Sequence, residues 1–533
     1  MERLAGRVML LWGWQRAILA MAAGALGALA QPPFGFFAAF FVSFTLLVWL
    51  MDGSTAGAEG GVFRRFRATF ILGWLFGFGY FVAGLWWLGN ALLVDSDEFA
   101  WALPLAVFGL PAYLALFYGL AAAIAGLLWS DGFGRLAALA LGFGLGEWLR
   151  SFVLTGFPWN TIAYGVMPIP MMMQSVGVVG IFGLTMLAVL VFAAPALIAT
   201  RKGMVGGLAV AILLFAVHLG YGAWRLSEAD ALMAARPQQD VAVRLVQPVI
   251  DQARKMDNSD RIAIFEEHLA LSALPPSPGA KRPDVIVWPE TSLPFILTQN
   301  QDALVRIADV LQDGQVLIAG AVRAEDAGPG RPPRYYNSIY AIDSQGQIIG
   351  ASDKVHLTPF GEYLPFEEFF NSVGIGNIVD MPGGYTAGSR RALITLPSGL
   401  SLYPLICYEA IFPDEMTADI ETASLLLNIT NDAWFGMTPG PYQHFLQARV
   451  RAIETGLPMI RDANNGISAV TDPFGRILTG LDLNHKSVID ATLGGGSVSH
   501  WNNSSRQMHL WLIASAMFLI ALISRLGFNS RVN

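Results

Sequence analysis

Long apolar segments fill the first 225 residues and recur once near the carboxyl end. A helix that crosses a bilayer needs about 20 mostly apolar residues. On that criterion the pattern predicts membrane spans near 17–30, 34–51, 69–90, 102–128, 135–150, 173–199, 204–225 and 509–527. The first segment lacks a small-residue cleavage site and further spans follow at once, so we do not interpret it as a signal peptide.

Residues 236–500 follow a different pattern, in which short apolar runs alternate with polar loops. Buried strands are predicted at 242–247, 285–288, 316–322, 338–342, 402–406, 424–429 and 468–471, and helices at 259–273, 303–311, 414–421 and 443–454. Strands that alternate with helices are typical of layered α/β domains. We therefore predict a membrane domain at 1–225, an α/β domain at 226–508, and a final helix with a short tail at 509–533.

Composition agrees with this division. Hydrophobic residues make up 54% of the chain and charged residues 14%, whereas soluble domains carry about 25% charged residues. The net charge is −7 and no basic stripe is visible, which argues against a nucleic-acid partner. We predict neither a cofactor nor a metal ion.

The loops between spans differ in their basic residues. Positive charges mark cytoplasmic loops, and they fall on one set of loops: Arg3, Arg7, Arg16, Arg64, Arg65, Arg67, Arg135, Arg201, Lys202, Arg525 and Arg531. The opposite set contains the acidic stretch 95–98. This pattern predicts a cytoplasmic amino terminus and an α/β domain on the outer side, which in a bacterial inner membrane is the periplasm.

Cys407 is the only cysteine in the chain and directly follows the apolar run 402–406. It can form neither an intrachain disulfide nor a CxxC pair. It is either a small buried hydrophobe or a nucleophile whose pKa a neighbouring cation lowers. Its place after a strand favours the nucleophile, because functional groups of open α/β sheets collect at the carboxyl ends of strands.

Two further charged residues also follow predicted strands. Glu290 comes after 285–288 and is either an acid at a helix start or a general base. Lys354 opens a loop rich in proline and aromatic residues and is either a solvated surface lysine or a cation that stabilises a thiolate and an oxyanion. His356 is a rival base for Cys–His catalysis.

These segments, taken in order, resemble the nitrilase superfamily of carbon–nitrogen hydrolases. The matching segments are 288–290 (Trp-Pro-Glu), the loop at 354–365, Cys-Tyr-Glu at 407–409, 428–435 and 461–466. The resemblance implies an αββα sandwich and a catalytic triad of Glu290, Lys354 and Cys407.

The surrounding apolar helices extend this resemblance to one membrane-bound branch, the apolipoprotein N-acyltransferases. The segments 156–159, 354–365 and 443–449 are similar to that family. The resemblance implies transfer of an acyl chain from a phospholipid, phosphatidylethanolamine by analogy, through a thioester on Cys407. The same resemblance implies that the acceptor is the α-amino group of a diacylglyceryl-cysteine at the start of an apolipoprotein, and that the enzyme is a monomer.

Supporting residues follow from the same resemblance. Glu362 is expected to orient Lys354, and the backbone N–H of Tyr408 to join Lys354 in stabilising the oxyanion. Glu409 flanks the nucleophile and is otherwise a structural hydrogen-bonding acid.

Three substrate contacts are also predicted. Trp434 is either part of an acyl pocket or a core aromatic, and Trp159 belongs either to a lipid-access region or to the interfacial aromatic belt. Met256 stands where family members often carry a tryptophan in a mobile lid loop.

Two other functions remain as alternatives to acyl transfer. One is a membrane-tethered amidase or nitrilase that hydrolyses small amides. The other is a non-catalytic protein that binds or transports lipoproteins.

Overall fold

The computed structural model describes residues 1–55, 61–235, 239–366, 384–498 and 500–532. The chain forms two compact units. The helical unit comprises 1–89, 102–229 and 501–533, and the sheet unit comprises 90–101 and 230–500. The units change at 229/230 and 500/501, whereas the predicted boundaries stand at 225/226 and 508/509, and the assignment of 90–101 to the sheet unit was not predicted.

The helical unit contains long apolar helices. Its α-helices of eight or more residues are Glu2–Met9, Gly13–Gly27, Ala39–Thr55, Gly61–Leu85, Leu110–Leu127, Gly134–Arg150, Val176–Ala193, Met204–Ser227 and Asn503–Val532. Within the described residues, five helical segments are long and apolar enough to cross a membrane: Gly61–Leu93, Ser96–Leu127, Val176–Thr200, Met204–Ser227 and Asn503–Gly527.

Three of the predicted spans differ from this set. The first corresponds to a pair, Glu2–Met9 and Gly13–Ala30, that is bent by 119° and makes a sixth span if it counts as one. Ala39–Thr55 and Gly134–Arg150 have 17 residues each. At about 1.5 Å per residue, such a helix is roughly 25 Å long, which is shorter than the roughly 30 Å hydrocarbon core of a bilayer.

The sheet unit contains two six-stranded sheets among its described residues. The strands are β1 Asp240–Gln247, β2 Val285–Val287, β3 Val316–Glu325, β4 Arg334–Asp343, β5 Ile348–Asp353, β6 Ile394–Thr395, β7 Ser401–Ile406, β8 Leu425–Thr430, β9 Met459–Ala463, β10 Ser468–Thr471, β11 Ile477–Leu481 and β12 Ser487–Gly494. Their order is β12-β1-β2-β3-β4-β5 in one sheet and β11-β10-β9-β8-β7-β6 in the other. The triplets β1-β2-β3 and β7-β8-β9 are parallel.

The two sheets pack face to face, and helices cover their outer faces. Successive side chains of a strand point to opposite faces, so Val285 and Val287 join the core between the sheets. Ile286 faces the other way, toward the helices Arg261–Ser272 and Gln301–Val310. The helix Pro439–Thr455 covers the second sheet. This layering confirms the predicted αββα sandwich.

The segment 90–101 is part of the sheet unit although it overlaps two helical segments long enough to cross a membrane, Gly61–Leu93 and Ser96–Leu127. The Asn90 side-chain amide donates a hydrogen bond of 2.9 Å to the carbonyl of Phe435. A Cβ on the next residue, Gly436, would lie 3.0 Å from the Asn90 amide nitrogen. The two parts of the unit are therefore in close contact.

Candidate active site

The three predicted triad residues follow strand ends in the sheet unit. Glu290 lies in the turn after β2, Lys354 directly follows β5, and Cys407 directly follows β7. The Lys354 ammonium is 3.6 Å from a carboxylate oxygen of Glu290. The charges of both residues act on the Cys407 thiol. The structure therefore brings all three residues into one cluster.

A second carboxylate completes the surroundings of Lys354. The Lys354 ammonium is 2.8 Å from Glu362, and all three charged groups are buried. The Asn337 amide donates to both carboxylates, at 2.8 Å to Glu290 and 2.7 Å to Glu362. Asn337 and Lys354 thus each contact both carboxylates.

The backbone at Cys407 is in a conformation that side chains rarely adopt. Its φ is +51°, which is uncommon for a residue other than glycine. Such strain costs about 1–3 kcal/mol and persists only where the surroundings enforce it. It occurs where β7 ends and a 3₁₀ turn, Cys407–Ile411, begins. The chain turns sharply at the proposed nucleophile.

Glu409 holds this turn and connects it to the lysine loop. One carboxylate oxygen accepts from the backbone N–H of Ile406 at 2.8 Å. The other accepts from the N–H groups of Val355 and His356, at 2.8 and 3.1 Å. Arg391 lies 3.2 Å from the same oxygen. Glu409 is therefore a buried hydrogen-bonding acid that ties the Lys354 loop to the Cys407 turn.

A buried polar network that includes His444, on the helix Pro439–Thr455, supports Cys407. The Nε2 atom of His444 is 3.1 Å from the Cys407 carbonyl oxygen, and its Nδ1 atom is 2.7 Å from Asp432. Asp432 also accepts hydrogen bonds from Arg461 at 2.7 Å and Thr430 at 3.0 Å. His444, Asp432 and Arg461 are fully buried, so this network fixes the carbonyl of the strained residue.

Burial and charge set the protonation of the cluster. Burial raises the pKa of Cys407, the Glu290 charge raises it further, and Lys354 opposes both. Burial alone would lower the pKa of Lys354, but the charges of Glu362 and Glu290 outweigh burial and raise that pKa. The resting site therefore holds a neutral thiol beside a permanent cation, and the thiol needs a base to ionise.

Gly320 on β3 lets the Glu290 turn approach the sheet. A Cβ at Gly320 would lie 2.5 Å from the carbonyl oxygen of Pro289 and 2.7 Å from the Glu290 Cα. We expect Gly320→Ala to displace Glu290 and to lower the rate of the reaction at Cys407 about 100-fold, since a 1 Å misplacement can cost that much. Single-turnover kinetics would measure this loss.

Gly350→Ala on β5 is the matched control. A Cβ there meets its nearest atoms at 3.6 Å, an ordinary contact, so we expect an unchanged rate. Melting temperatures of both variants would separate a displaced base from a general loss of folding. Equal rates for the two variants would contradict the role given to Gly320.

The other predicted site residues of the sheet unit, Tyr408, Trp434 and Met256, differ in burial. Tyr408 is buried and packs edge-on to Phe412, with ring centroids 5.1 Å apart. Trp434 is partly exposed in the turn after β8. Met256 is 39% exposed at the end of a short helix, Gln252–Met256.

Trp159 lies in the helical unit and is buried there. Its ring is 5.2 Å from that of Trp87, and its carbonyl accepts a hydrogen bond from Arg150 at 2.9 Å. Its described contacts are therefore those of a packed aromatic residue.

The ring of His356 contacts Glu415 and Phe412, which do not belong to the triad. Its Nδ1 atom is 2.6 Å from Glu415, and the ring stacks on Phe412 at 3.9 Å. These contacts give the rival Cys–His arrangement no support.

Sequence reasoning assigned no role to Asn337 or to the residues of the His444 network. Asn337 is a buried amide within β4, and Asp432 comes two residues after β8. A polar side chain within a buried strand needs a hydrogen-bonding partner, and that signal could have identified Asn337.

Comparison with known proteins identifies the family. Residues 23–194 match the family described as "Apolipoprotein N-acyltransferase N-terminal domain", and residues 242–503 match "Carbon-nitrogen hydrolase". Proteins named "Apolipoprotein N-acyltransferase" are 63% identical in Rhizobium rhizogenes and 64% identical in Agrobacterium fabrum, each over 100% of both chains. The chain belongs to the apolipoprotein N-acyltransferase family. It is accordingly an acyltransferase and a multi-pass membrane protein.

Solved structures include more distant matches. An amidase from Nesterenkonia sp. matches with a TM-score of 0.34 and 18% identity, over 49% of this chain and 92% of the amidase. The amidase alternative is the less supported one, because proteins named "Apolipoprotein N-acyltransferase" match this chain over its full length.

Proposed function

We propose that this protein transfers an acyl chain from a membrane phospholipid to the α-amino group of diacylglyceryl-cysteine at the start of apolipoproteins. The observation that carries the proposal is the cluster of Glu290, Lys354 and Cys407 in a chain that also contains at least five helices able to span a membrane. Phosphatidylethanolamine is the proposed donor, by analogy with the family.

The first half-reaction forms a thioester. Glu290 accepts the proton of Cys407, and the thiolate attacks an ester carbonyl of the phospholipid. Lys354 and the backbone N–H of Tyr408 stabilise the oxyanion, a contribution worth about 10²–10³ in rate for one donor. The C–O bond breaks, Glu290 returns the proton to the departing oxygen, and a lysophospholipid leaves.

The second half-reaction forms the amide. The neutral amine of the acceptor attacks the thioester carbonyl, and its proton passes to Glu290. The C–S bond breaks, and Glu290 protonates the Cys407 sulphur. Because the acyl group passes through the enzyme, the kinetics are ping-pong.

Membrane attachment suits both substrates. Each carries acyl chains, and moving such chains from lipid into water costs about 0.8 kcal/mol per CH₂ group. We place the protein in the bacterial inner membrane with the sheet unit on the periplasmic side, on the basis of the basic residues in the opposite loops.

Mass spectrometry of Cys407 tests the proposal. The full chain would be incubated in phosphatidylethanolamine vesicles without an acceptor. The mass of the peptide that contains Cys407 would then be measured. We expect one added acyl group on the wild-type peptide and none after Cys407→Ala. A synthetic diacylglyceryl-cysteine peptide should then remove the group and gain it as an amide.

Two results would contradict the proposal. One is acylation of the acceptor peptide by Cys407→Ala at the wild-type rate. The other is hydrolysis of a small amide such as propionamide by a wild-type protein that forms no adduct with phospholipid, which would favour the amidase alternative.

A further inference from the structure

A short segment beside the triad is anchored to the second sheet. The backbone N–H groups of Val249 and Ile250 donate to the carbonyl and the side-chain oxygen of Asn464, both at 2.9 Å. The Gln252 side chain accepts from Asn431 at 2.7 Å. These bonds fix the start of the helix Gln252–Met256.

This helix carries a second lysine into the site. The Lys255 ammonium donates a hydrogen bond of 2.9 Å to the carbonyl of Glu290. Its charge also interacts with the Glu290 carboxylate and with Cys407. Lys255 is partly exposed, whereas Lys354 is fully enclosed. Sequence reasoning gave Lys255 no role, although it named its neighbour Met256.

The net charge of the triad cluster indicates a role for the Lys255 ammonium as a second cation. When Glu290 takes the Cys407 proton, Glu362 and the thiolate carry two negative charges, and Lys354 supplies one positive charge. Without another cation the cluster has a net charge of about −1, which opposes ionisation of a nearby thiol. Lys255 brings that balance to zero.

We propose that Lys255 is a positioning residue that supplies the second positive charge of the cluster, and that it favours the Cys407 thiolate and the neutral form of the acceptor amine. The role rests on the proposed function. Lys255 acts on thioester formation through its attraction to the thiolate. It acts on aminolysis because a positive charge beside Glu290 repels an incoming ammonium group.

The two lysines differ in how firmly they hold their protons. The pKa of Lys354 is raised, so that residue stays charged. Burial lowers the pKa of Lys255 to about 8, against the charges of Glu290 and Cys407, which raise it. From the helix Arg261–Ser272, His268 also interacts with Lys255. Lys255 should therefore lose its charge above about pH 8.

The loss of the Lys255 charge sets the direction of the pH effect. Below pH 8 the Lys255 charge is present and thioester formation is assisted. Above pH 8 the charge is lost, so the rate of thioester formation should fall with a midpoint near 8. Arginine keeps its charge at every accessible pH, so Lys255→Arg should move this fall to higher pH.

Single-turnover formation of the Cys407 thioester in phosphatidylethanolamine vesicles, measured from pH 6 to 10, tests the role. Lys255→Met should slow the reaction at least about tenfold at pH 7, since an adjacent opposite charge shifts a pKa by about 1–3 units. It should also abolish the fall near pH 8. Lys255→Arg should retain most of the rate. The exposed Lys281 provides the control, and Lys281→Met should behave as wild type.

The experiment distinguishes a failure of the proposed function from a failure of the role proposed for Lys255. A wild-type protein that forms no thioester would overturn the proposed function and this role together. A wild-type protein that forms it, beside a Lys255→Met protein of equal rate and equal pH profile, would overturn only the role of Lys255. A slower Lys255→Met protein that keeps the fall near pH 8 and melts at a lower temperature would assign Lys255 to structure and overturn the proposal as well.

Discussion

Lys354→Met should lower the rate of acyl transfer about 10³-fold or more. The variant loses a donor to the oxyanion, and one such donor alone is worth about 10²–10³. It also loses the positive charge that opposes the effects of burial and Glu290 on the pKa of Cys407. Single-turnover thioester formation with phospholipid vesicles would measure the change, and a variant that keeps a tenth of the wild-type rate would contradict it.

A second variant is needed to separate the loss of activity in Lys354→Met from its loss of stability. Removal of one partner of a buried ion pair costs about 3–5 kcal/mol because it leaves an unpaired charge. Lys354 faces Glu290 and Glu362, so Lys354→Met alone should melt at a lower temperature. The double variant Lys354→Met with Glu362→Gln removes one negative charge as well. It should recover much of the lost stability and none of the activity.

His444→Phe should slow thioester formation about 100-fold. The substitution removes the contact of 3.1 Å to the Cys407 carbonyl, so the strained backbone is free to relax and the sulphur moves from its position. A misplacement of about 1 Å can cost a factor of about 10². His444→Gln retains a side-chain donor and should recover part of the rate. The exposed His485 serves as control, with His485→Gln expected to behave as wild type.

Acylation kinetics and the melting temperature together distinguish a positioning role of His444 from a role in folding. If His444 acts by placing Cys407, then His444→Phe should lower kcat for acylation more than it changes KM for the phospholipid. If the network only stabilises the fold, the melting temperature should fall while the rate per folded molecule stays constant. The second outcome would contradict the positioning role.

The sequence was informative where a candidate site residue follows a buried apolar strand. Glu290 and Cys407 stand directly after such runs, so the strand-end rule located them without any three-dimensional information. Strands without such runs were missed. β11 is largely exposed, and β9 contains the buried polar pair Arg461 and Asp462. Neither strand gives the short apolar run on which the predictions relied.

Long-range hydrogen bonds explain the other differences. The predicted helix at 414–421 is instead two 3₁₀ turns, Pro413–Glu415 and Ala418–Thr422. Between them the backbone N–H of Thr417 donates to the hydroxyl of Tyr403 at 3.0 Å. A bond from this loop to a residue on β7 leaves no signal in local periodicity. The same holds for Asn337 and His444, whose importance depends on partners distant in sequence.

The assignment of 90–101 to the sheet unit has a consequence for the order of folding. The contact between Asn90 and Phe435 joins residues that are 345 positions apart. During synthesis the first of these residues emerges before most of the membrane helices, and the second only after most of the two sheets. Contacts of such high sequence separation form late. The sheet unit is therefore complete only when the amino-terminal half of the chain is present, and a fragment consisting of 230–500 lacks a piece of its own fold.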